Sequence, residues 1–537
     1  MPYQNVAELF LLNARRFPNR IALVSGDRRL SYAELNEEIN RLARGFLALG
    51  LRPGDKGAYL LRNCPELIEV YYALQKIGAA AVPLNHRLSA AEIGRLLRFS
   101  RCRLLVYGEE FQDKVAAVGD LPVDLLLCRR AENGGKTAAA AGPGAPGTAA
   151  GPGTLGDAAA LGSGEEPALF RDAAALSRLQ FTGGTTGLPK GARRTHRADL
   201  AEIISVMMSS RMGAKPGEAV LVQCPLGHHG GHSWFTAALS SGAKLVISDV
   251  FQPAAILAAI ERERITYLLL LPPGTYLRLL DHPDFARYDL GSVRLVQSSA
   301  GAAAPDVVRR IYQGFPNCEV NYGWGQTESG TGTSLILSRA MLAEGAPALS
   351  SVGLPMPFLE VMVADAAGRE AAPHTVGEAL VRGPALFSGY CGQAELNREI
   401  FLPDGWLRTG DMMKRDEDGY LYMVSRKSEM IKSGGENVFV QEVENVLRLH
   451  PAVEECVVFG MPDAVFGEVV AAAVKLREGA SLSGAEIRAH CRQHIADYKK
   501  PRLVRFISAI MMDEAGKIRR GEIINQLRKE EAAWISD

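Results

Sequence analysis

The sequence predicts an α/β fold with a large, layered N-terminal domain and a small α+β domain at the C-terminus. The 537 residues exceed the length of one ordinary domain. Short apolar runs alternate with amphipathic helical patterns in the first part of the chain, and the units become shorter after about residue 426. We therefore expect an N-terminal domain over residues 1–426 and a C-terminal domain over residues 427–537.

The N-terminal alternation begins with a capped helix. Ser31 stands three residues before Glu34, apolar residues then recur at helical spacing, and Gly50 follows. The same reading predicts strands at 58–61, 79–84, 104–107 and 179–181, and helices at 65–77, 90–98 and near 198–208. Strands and helices that alternate in this way indicate helices layered against a sheet.

Two regions depart from this alternation. Residues 133–167 are rich in Gly, Ala and Pro and have few large apolar side chains, so burial cannot offset the entropy lost on ordering. They predict a mobile, low-complexity surface insertion. The smaller C-terminal units are predicted helices at 441–449 and 485–494 and predicted strands at 455–459, 469–476 and 503–507.

Composition excludes several classes of partner. The 60 Lys and Arg residues balance the 60 Asp and Glu residues, so no net field recruits nucleic acid or an anionic membrane. The 8 cysteines are scattered singly, which indicates a reducing compartment. No apolar run approaches the roughly 18 residues of a membrane span, and the N-terminus lacks a signal pattern. We expect a cytoplasmic protein with no nucleic-acid partner and no integral membrane segment.

The segment FTGGTTGLPKG, from Phe181 to Gly191, predicts a phosphate-binding loop. Glycines allow several backbone N–H groups to point inward. The threonine hydroxyls can donate hydrogen bonds to an anion, and Lys190 can balance its charge. The loop follows a predicted strand and precedes a predicted helix, which favours an anion site over a flexible glycine turn. Pro189 before Lys190 and Gly191 after it exclude a kinase or ATPase of the P-loop type, which requires Gly-Lys-Ser/Thr.

Five segments together resemble the adenylate-forming superfamily of acyl-CoA synthetases, non-ribosomal peptide synthetase adenylation domains and luciferases. The resemblance runs nearly end to end. The segments are FTGGTTGLPKGARRTH at 181–196, NYGWGQTE at 321–328, DGWLRTGD at 404–411, SRKSEMIKSGGENVFVQEVE at 425–444 and DEAGKIRR at 513–520.

This resemblance implies ATP, Mg²⁺ and coenzyme A as cofactors. It implies that Trp324 stacks on adenine, that Thr327 contacts the α-phosphate and that Glu328 binds magnesium. Lys517 would bridge the carboxylate and the α-phosphate during adenylation. The expected catalytic residues are Lys517, Thr186, Lys190 and Glu328.

The same resemblance implies the remaining contacts to nucleotide and coenzyme A. Asp411 and Arg426 would hold the ribose, and Gly434 and Gly435 would let the pantetheine arm pass. Ser428 occupies the hinge position about which the C-terminal domain would rotate. The expected nucleotide- and coenzyme-binding residues are Thr182, Gly183, Gly184, Thr185, Gly187, Tyr322, Gly323, Trp324, Thr327, Asp411, Arg426, Gly434 and Gly435.

The segment PLGHHGGHSW contains three histidines, at positions 228, 229 and 232. A zinc site is disfavoured because no carboxylate or cysteine is near them in sequence. The resemblance implies an acyl pocket here, with the ring of His228 at its entrance; the alternative is a loop histidine that contacts backbone carbonyls. The expected pocket residues are His228, Trp234, Ala300, Gly301 and Gly323.

The predicted function is that of an ATP-dependent carboxylic acid–CoA ligase. Acid, ATP and coenzyme A would give acyl-CoA, AMP and pyrophosphate through an acyl-AMP intermediate, and a fatty acid is favoured, which would place the protein in fatty acid metabolism. Three alternatives stay open: an aryl acid–CoA ligase, an acyl-AMP ligase that loads a carrier protein, and a non-catalytic acyl-adenylate-binding protein. The sequence leaves the oligomeric state open, a homodimer included.

Overall fold

The computed structural model describes residues 3–119, 121, 123–128, 153–182, 190–213, 215–270, 274–298, 305–433, 436–463, 466–512, 518–529 and 534. The chain divides into two compact units. The first unit comprises Met1–Leu349, Pro355–Glu360 and Arg382–Phe401, and the second comprises Ser350–Leu354, Val361–Val381 and Leu402–Asp537.

Helices and strands alternate along the chain up to residue 128. They are α1 (Ala7–Arg16), β1 (Ile21–Ser25), β2 (Arg28–Ser31), α2 (Tyr32–Ala48), β3 (Lys56–Leu60), α3 (Pro65–Lys76), β4 (Ala80–Pro83), α4 (Ala90–Ser100), β5 (Leu104–Gly108), α5 (Gln112–Ala116) and β6 (Asp124–Cys128).

The alternation resumes at residue 153. The next elements are β7 (Gly153–Thr154), α6 (Leu155–Ala160), β8 (Leu176–Thr182), β9 (Lys190–Thr195), α7 (His196–Ser210), β10 (Ala219–Val222), α8 (His229–Ser241), β11 (Lys244–Ile247), α9 (Pro253–Glu263), β12 (Tyr267–Leu269), α10 (Gly274–Leu280), β13 (Leu295–Ser298), α11 (Pro305–Gly314), β14 (Glu319–Tyr322), β15 (Gly325–Gln326), β16 (Gly330–Thr331), β17 (Thr333–Leu337) and α12 (Arg339–Glu344).

The last third is richer in antiparallel strands. Its elements are β18 (Leu354–Pro355), β19 (Glu360–Ala364), β20 (Gly377–Arg382), α13 (Ala394–Ile400), β21 (Leu407–Arg415), β22 (Leu421–Arg426), β23 (Met430–Ser433), β24 (Glu436–Phe439), α14 (Val440–Arg448), β25 (Val453–Asp463), β26 (Gly467–Leu476), α15 (Gly484–His494), β27 (Leu503–Phe506) and α16 (Arg520–Lys529).

Two mostly parallel sheets form the framework of the first unit. One has the order β7-β6-β5-β3-β4-β8-β9, and it is parallel up to the antiparallel edge pair of β8 and β9. The other includes the run β17-β14-β13-β12-β10-β11-β1-β2, with β17 and β2 antiparallel to their neighbours. Parallel neighbours require crossover connections, which the intervening helices supply. The predicted α/β class, with a large N-terminal domain and a smaller C-terminal one, is confirmed.

An apolar core lies between the helices and strands of the first unit. Phe10 of α1, Phe46 of α2 and Phe235 of α8 are completely buried in it. The predicted capped helix is α2: the Ser31 hydroxyl accepts the Glu34 N–H at 3.2 Å, and the Glu34 carboxylate accepts the Ser31 N–H at 2.8 Å. This capping box fixes the start of α2 and so its apolar face toward the core.

The predicted surface insertion over residues 133–167 needs a correction in its second half. Residues 133–152 lie outside the described part of the chain, but residues 153–167 include β7 and α6, and Leu155 and Ala158 are buried in the core of the first unit. A Cβ at Gly45 of α2 would lie 1.9 Å from the carbonyl oxygen of Ala158. Small residues on both sides therefore let α6 pack closely on α2. The sequence did not predict this packing, because the expectation relied on large apolar side chains as the sign of burial.

The second unit contains two sheets. One has the order β19-β20-β21-β22, and the other has the order β24-β23-β26-β25 with β27 parallel to β26. Residues 402–426 belong to this unit by their contacts, which differs from the boundary expected at residue 426. The reason is that β21 pairs with β22, and Lys427 just beyond β22 forms an ion pair with Glu378 of β20 at 2.9 Å. The hinge at Ser428 stays a prediction.

No helix among the described residues combines the length and the apolar character needed to cross a bilayer.

Replacement of Leu155 by Ala tests the packing of α6. Leu155 is 4% exposed, whereas Leu161, six residues later, is 59% exposed. We expect Leu155→Ala to lower the free energy of unfolding by about 2–4 kcal/mol because it leaves a cavity against α2. Leu161→Ala, the matched control, should change it by less than about 0.5 kcal/mol. Equal effects in urea-induced unfolding would show that this segment does not pack on the core.

Candidate active site

The structure brings three chemically matched side chains together in the first unit: Lys190, Tyr390 and Glu328. The Lys190 ammonium lies 5.3 Å from the centre of the Tyr390 ring, within range of a cation–π interaction. The Tyr390 hydroxyl donates to Glu328 Oε1 at 2.5 Å. A cation and a carboxylate thus flank one phenol, and this arrangement suits a phosphate chain that carries a divalent metal ion.

Backbone pairing with β9 explains how Tyr390 reaches this position. The Cys391 N–H donates to the Gly191 carbonyl at 2.8 Å, and the Arg193 N–H donates to the Gly389 carbonyl at 3.1 Å. The segment around Tyr390 therefore runs antiparallel to the first half of β9, beside Lys190. The sequence did not reveal Tyr390 because it stands 62 positions from Glu328 and belongs to none of the quoted motifs.

The ends of the glycine-threonine loop are fixed by a hairpin. β8 and β9 are antiparallel, and Thr182 is paired with Lys190. The loop therefore leads into strand β9, and not directly into the helix that the sequence predicts; α7 begins only at His196. Residues between these ends lie outside the described part of the chain, so the roles expected for Gly183, Gly184, Thr185, Thr186 and Gly187 stay predictions.

The turn that carries Glu328 follows β14. Tyr322, at the end of this strand, is buried, and burial raises the pKa of its hydroxyl to about 12. A Cβ at Gly323 would lie 2.3 Å from the Thr333 carbonyl oxygen, so only glycine fits there. The Trp324 N–H donates to the Thr333 hydroxyl at 2.9 Å, which fixes the backbone from which the Trp324 ring projects. The structure thus places Tyr322 at the end of β14, Gly323 and Trp324 just after it, and Thr327 and Glu328 in the turn of the β15–β16 hairpin that follows.

A buried network of charged side chains lies behind this turn. Its members are Arg178 of β8, Arg194 of β9, Asp199 and Glu202 of α7, and His229 of α8. Burial alone would raise the pKa of Asp199, but Arg178 and Arg194 hold it well below its usual range. Burial also opposes ionisation of Glu202, yet the facing His229 and Arg194 hold its pKa below the usual range. Both carboxylates are therefore ionised at neutral pH.

The two residues expected at the ribose are brought together in the second unit. Asp411 of β21 and Arg426 of β22 are cross-strand partners, and Arg426 Nε lies 2.7 Å from Asp411 Oδ1. The side chain of Asp411 is 0% exposed, and its backbone N–H donates to the Thr409 hydroxyl at 3.1 Å. A carboxylate held in this way can accept hydrogen bonds from a pair of hydroxyl groups.

The remaining expected residues are not assembled into one site by the described structure. His228 is exposed and caps α8, where its Nδ1 accepts the Gly230 N–H at 3.3 Å. Trp234 is 7% exposed and belongs to the apolar core of the first unit, so its role in an acyl pocket stays a prediction. The residues Ala300, Gly301, Gly434, Gly435 and Lys517 lie outside the described part of the chain.

The donor groups at the turn suit magnesium. Among the described residues, no group of three His, Cys, Asp or Glu side chains is close enough to hold a metal ion by itself. Proteins usually hold Mg²⁺ through one or two carboxylates together with substrate phosphates, and Glu328 beside Lys190 offers such a carboxylate. When bound, the ion would neutralise phosphate oxygens while Glu328 orients it.

Comparison with known proteins identifies the family of this chain. The chain matches the AMP-binding enzyme family over residues 10–391 and the AMP-binding enzyme C-terminal domain over residues 442–517. Feruloyl-CoA synthase of Amycolatopsis sp. is 35% identical over 512 residues, which cover 95% of this chain and 96% of that protein. The mitochondrial medium-chain acyl-CoA ligase ACSF2 of Rattus norvegicus is 30% identical over 98% of this chain and 88% of its own length.

A solved structure shows the same fold. O-succinylbenzoate coenzyme A synthetase (MenE) from Bacillus subtilis, in complex with ATP and magnesium ion, superimposes with a TM-score of 0.81 at 27% identity, covering 97% of this chain and 99% of that one. The similarity extends over most of the chain, since the feruloyl-CoA synthase covers 95% of it and the solved structure 97%. This chain therefore belongs to the AMP-binding enzyme family and is an AMP-forming acid–thiol ligase, an acyl-CoA synthetase.

Proposed function

We propose that this ligase activates an aryl-substituted carboxylic acid and transfers it to free coenzyme A. This chain is 35% identical to the feruloyl-CoA synthase and 30% identical to the medium-chain acyl-CoA ligase. This similarity supports an aryl acid over the fatty acid that the sequence favours. The observation that carries the ligase chemistry is the joint placement of Lys190, Tyr390 and Glu328.

In the first half-reaction, a carboxylate oxygen of the acid attacks the α-phosphorus of ATP and the bond to the β-phosphate breaks. The products are acyl-AMP and pyrophosphate. Lys190 would neutralise charge on the departing phosphates, and Glu328 would hold a magnesium ion, which would supply the same neutralisation. The Tyr390 hydroxyl donates to Glu328 Oε1 and so fixes the orientation of that carboxylate. Lys517 would stand between the acid and the α-phosphate, where two anions must approach each other.

In the second half-reaction, the thiol of coenzyme A attacks the acyl carbonyl carbon and AMP leaves. The thiol proton is released, and a thioester forms. Gly434 and Gly435 would line the path of the pantetheine arm, because a backbone without side chains allows close approach. Asp411, held by Arg426, would keep the ribose of the AMP group in place through both steps.

A panel of acids tests the substrate class. Pyrophosphate release and thioester formation are measured with an arylpropenoic acid, a benzoic acid and medium-chain fatty acids, each with and without coenzyme A. We expect the highest kcat/KM with an aryl acid, and a thioester only when coenzyme A is present. A preference for a fatty acid would overturn the substrate class. Pyrophosphate release without thioester would favour carrier-protein loading, and no release with any acid would favour a non-catalytic protein.

Replacement of Lys517 by Ala tests the division between the half-reactions. Loss of a cation placed for the transition state typically costs about 10²–10³ in rate, so we expect adenylation to fall by about that factor. Thioester formation from preformed acyl-AMP should be nearly unchanged. Arg519→Ala removes a half-exposed cation two residues away and serves as the matched control. If Lys517→Ala slowed both half-reactions equally, the lysine would have a different role.

A further inference from the structure

The turn that carries Glu328 is held at both ends by one buried ion pair. Arg194 Nη1 donates to the carbonyl oxygen of Thr327 at 2.9 Å, one residue before Glu328. Glu202 Oε1 accepts the backbone N–H of Thr331 at 3.2 Å, three residues after it. Arg194 Nη2 and Glu202 Oε2 are 2.8 Å apart, so the two groups that hold the turn also hold each other.

Arg194 also holds the segment that contacts Glu328 from the other side. Its Nη1 donates to the carbonyl of Ala385 at 3.1 Å as well as to Thr327. Two residues after Ala385, the Phe387 N–H donates to the Glu328 carbonyl at 2.9 Å, and farther along the same segment Tyr390 donates to the Glu328 carboxylate. One guanidinium group therefore sets the distance between the turn and the residues that orient its carboxylate.

The ion pair is rigid because it is buried. The side chains of Arg194 and Glu202 are 0% and 2% exposed, and Arg194 Nε lies 2.6 Å from Asp199 Oδ1. A buried charge that loses its partner is strongly destabilising, so these side chains have few alternative positions. Arg194 belongs to β9 and Glu202 to α7, so the turn is held by two regular elements of the first unit.

A purely structural role for this network is the competing explanation. Buried ion pairs are often no more stabilising than apolar residues of the same volume, so stability alone gives little reason for so many buried charges. Arg178 allows the two explanations to be separated. It is equally buried, it is bonded to Asp199 at 3.0 Å, and it lies 3.7 Å from Glu202 Oε2. Its other hydrogen bonds go to Gln180 and His229, whereas Arg194 bonds to the turn itself.

We propose that Arg194 and Glu202 are positioning residues that hold the Glu328 carboxylate in the orientation in which it binds magnesium. This inference rests on the proposed role of Glu328 as a magnesium ligand. Partners that orient a metal ligand contribute to the affinity for the metal without touching it. Arg194 and Glu202 act in this way through the main chain on either side of Glu328, and the ion itself contacts neither.

Binding of an uncleavable nucleotide tests the proposal without turnover. The dissociation constant of α,β-methylene-ATP is measured calorimetrically for the full chain in Mg²⁺ and in EDTA, and the ratio of the two values gives the gain in affinity due to magnesium. A general loss of stability affects both values alike and leaves the ratio unchanged. We expect Arg194→Lys to reduce this gain by about tenfold, as changes beside metal ligands commonly do.

Two further variants set the limits of the experiment. Arg178→Lys, the matched control in the same network, should lose much less of the magnesium gain than Arg194→Lys, because its hydrogen bonds go to Asp199, Gln180 and His229, whereas Arg194 bonds to the Thr327 carbonyl. Glu328→Gln should abolish the gain. If Glu328→Gln abolished it and Arg194→Lys kept it, the positioning role would be overturned while the magnesium role of Glu328 stood. If Glu328→Gln itself kept the gain, the role of Glu328 and the inference built on it would both be overturned.

Glu202→Asp keeps the network testable if the lysine variant does not fold. It preserves the charge balance around Arg194 but withdraws the carboxylate from the Thr331 N–H by one methylene group. We expect Glu202→Asp to lose part of the magnesium gain, but less than Arg194→Lys loses, because the contact of Arg194 with the Thr327 carbonyl remains. If Glu202→Asp kept the full magnesium gain and bound the nucleotide in EDTA with the wild-type dissociation constant, the proposal would be contradicted.

Discussion

The pairing of Arg194 with Asp199 and Glu202 is the interaction on which the candidate active site depends. Arg194 lies on β9, the strand that begins with Lys190, and its two partners lie on α7. The same strand pairs with the segment that carries Tyr390. Lys190, the phenol and the Glu328 turn therefore take their positions from one strand, so that a shift of β9 would move all three together.

Electrostatics explains why this region contains several buried charged side chains. Asp199 stays ionised despite burial because Arg178 and Arg194 hold its pKa low, and Glu202 stays ionised because His229 and Arg194 do the same. The low dielectric of the buried interior strengthens each hydrogen bond that Arg194 makes to the turn. Catalysis that works by charge neutralisation requires groups that are already oriented before the substrate binds. A turn fixed from behind by buried ion pairs meets this requirement, whereas a turn held by solvent-exposed pairs would be free to reorient.

Local sequence patterns predicted much of the fold, and long-range contacts account for what they missed. The Ser31–Glu34 capping box identified α2 because both partners lie within one helical turn. Strand β9 was not predicted, since its buried positions include Arg194, which breaks the alternation of apolar and polar residues. The packing of α6 depends on Gly45, and the role of Tyr390 depends on Glu328, 62 positions away; neither pairing has a local signature.

The proposed chemistry requires an acid and ATP to meet at this site and form an acyl-adenylate, and the fate of the acid's oxygen atoms reports on that step. The reaction is run with a carboxylic acid whose carboxylate is labelled with heavy oxygen, together with ATP, Mg²⁺ and coenzyme A. We expect a labelled oxygen in AMP and none in pyrophosphate, because the carboxylate attacks the α-phosphorus. Unlabelled AMP, or label in a released phosphate, would exclude the acyl-adenylate intermediate.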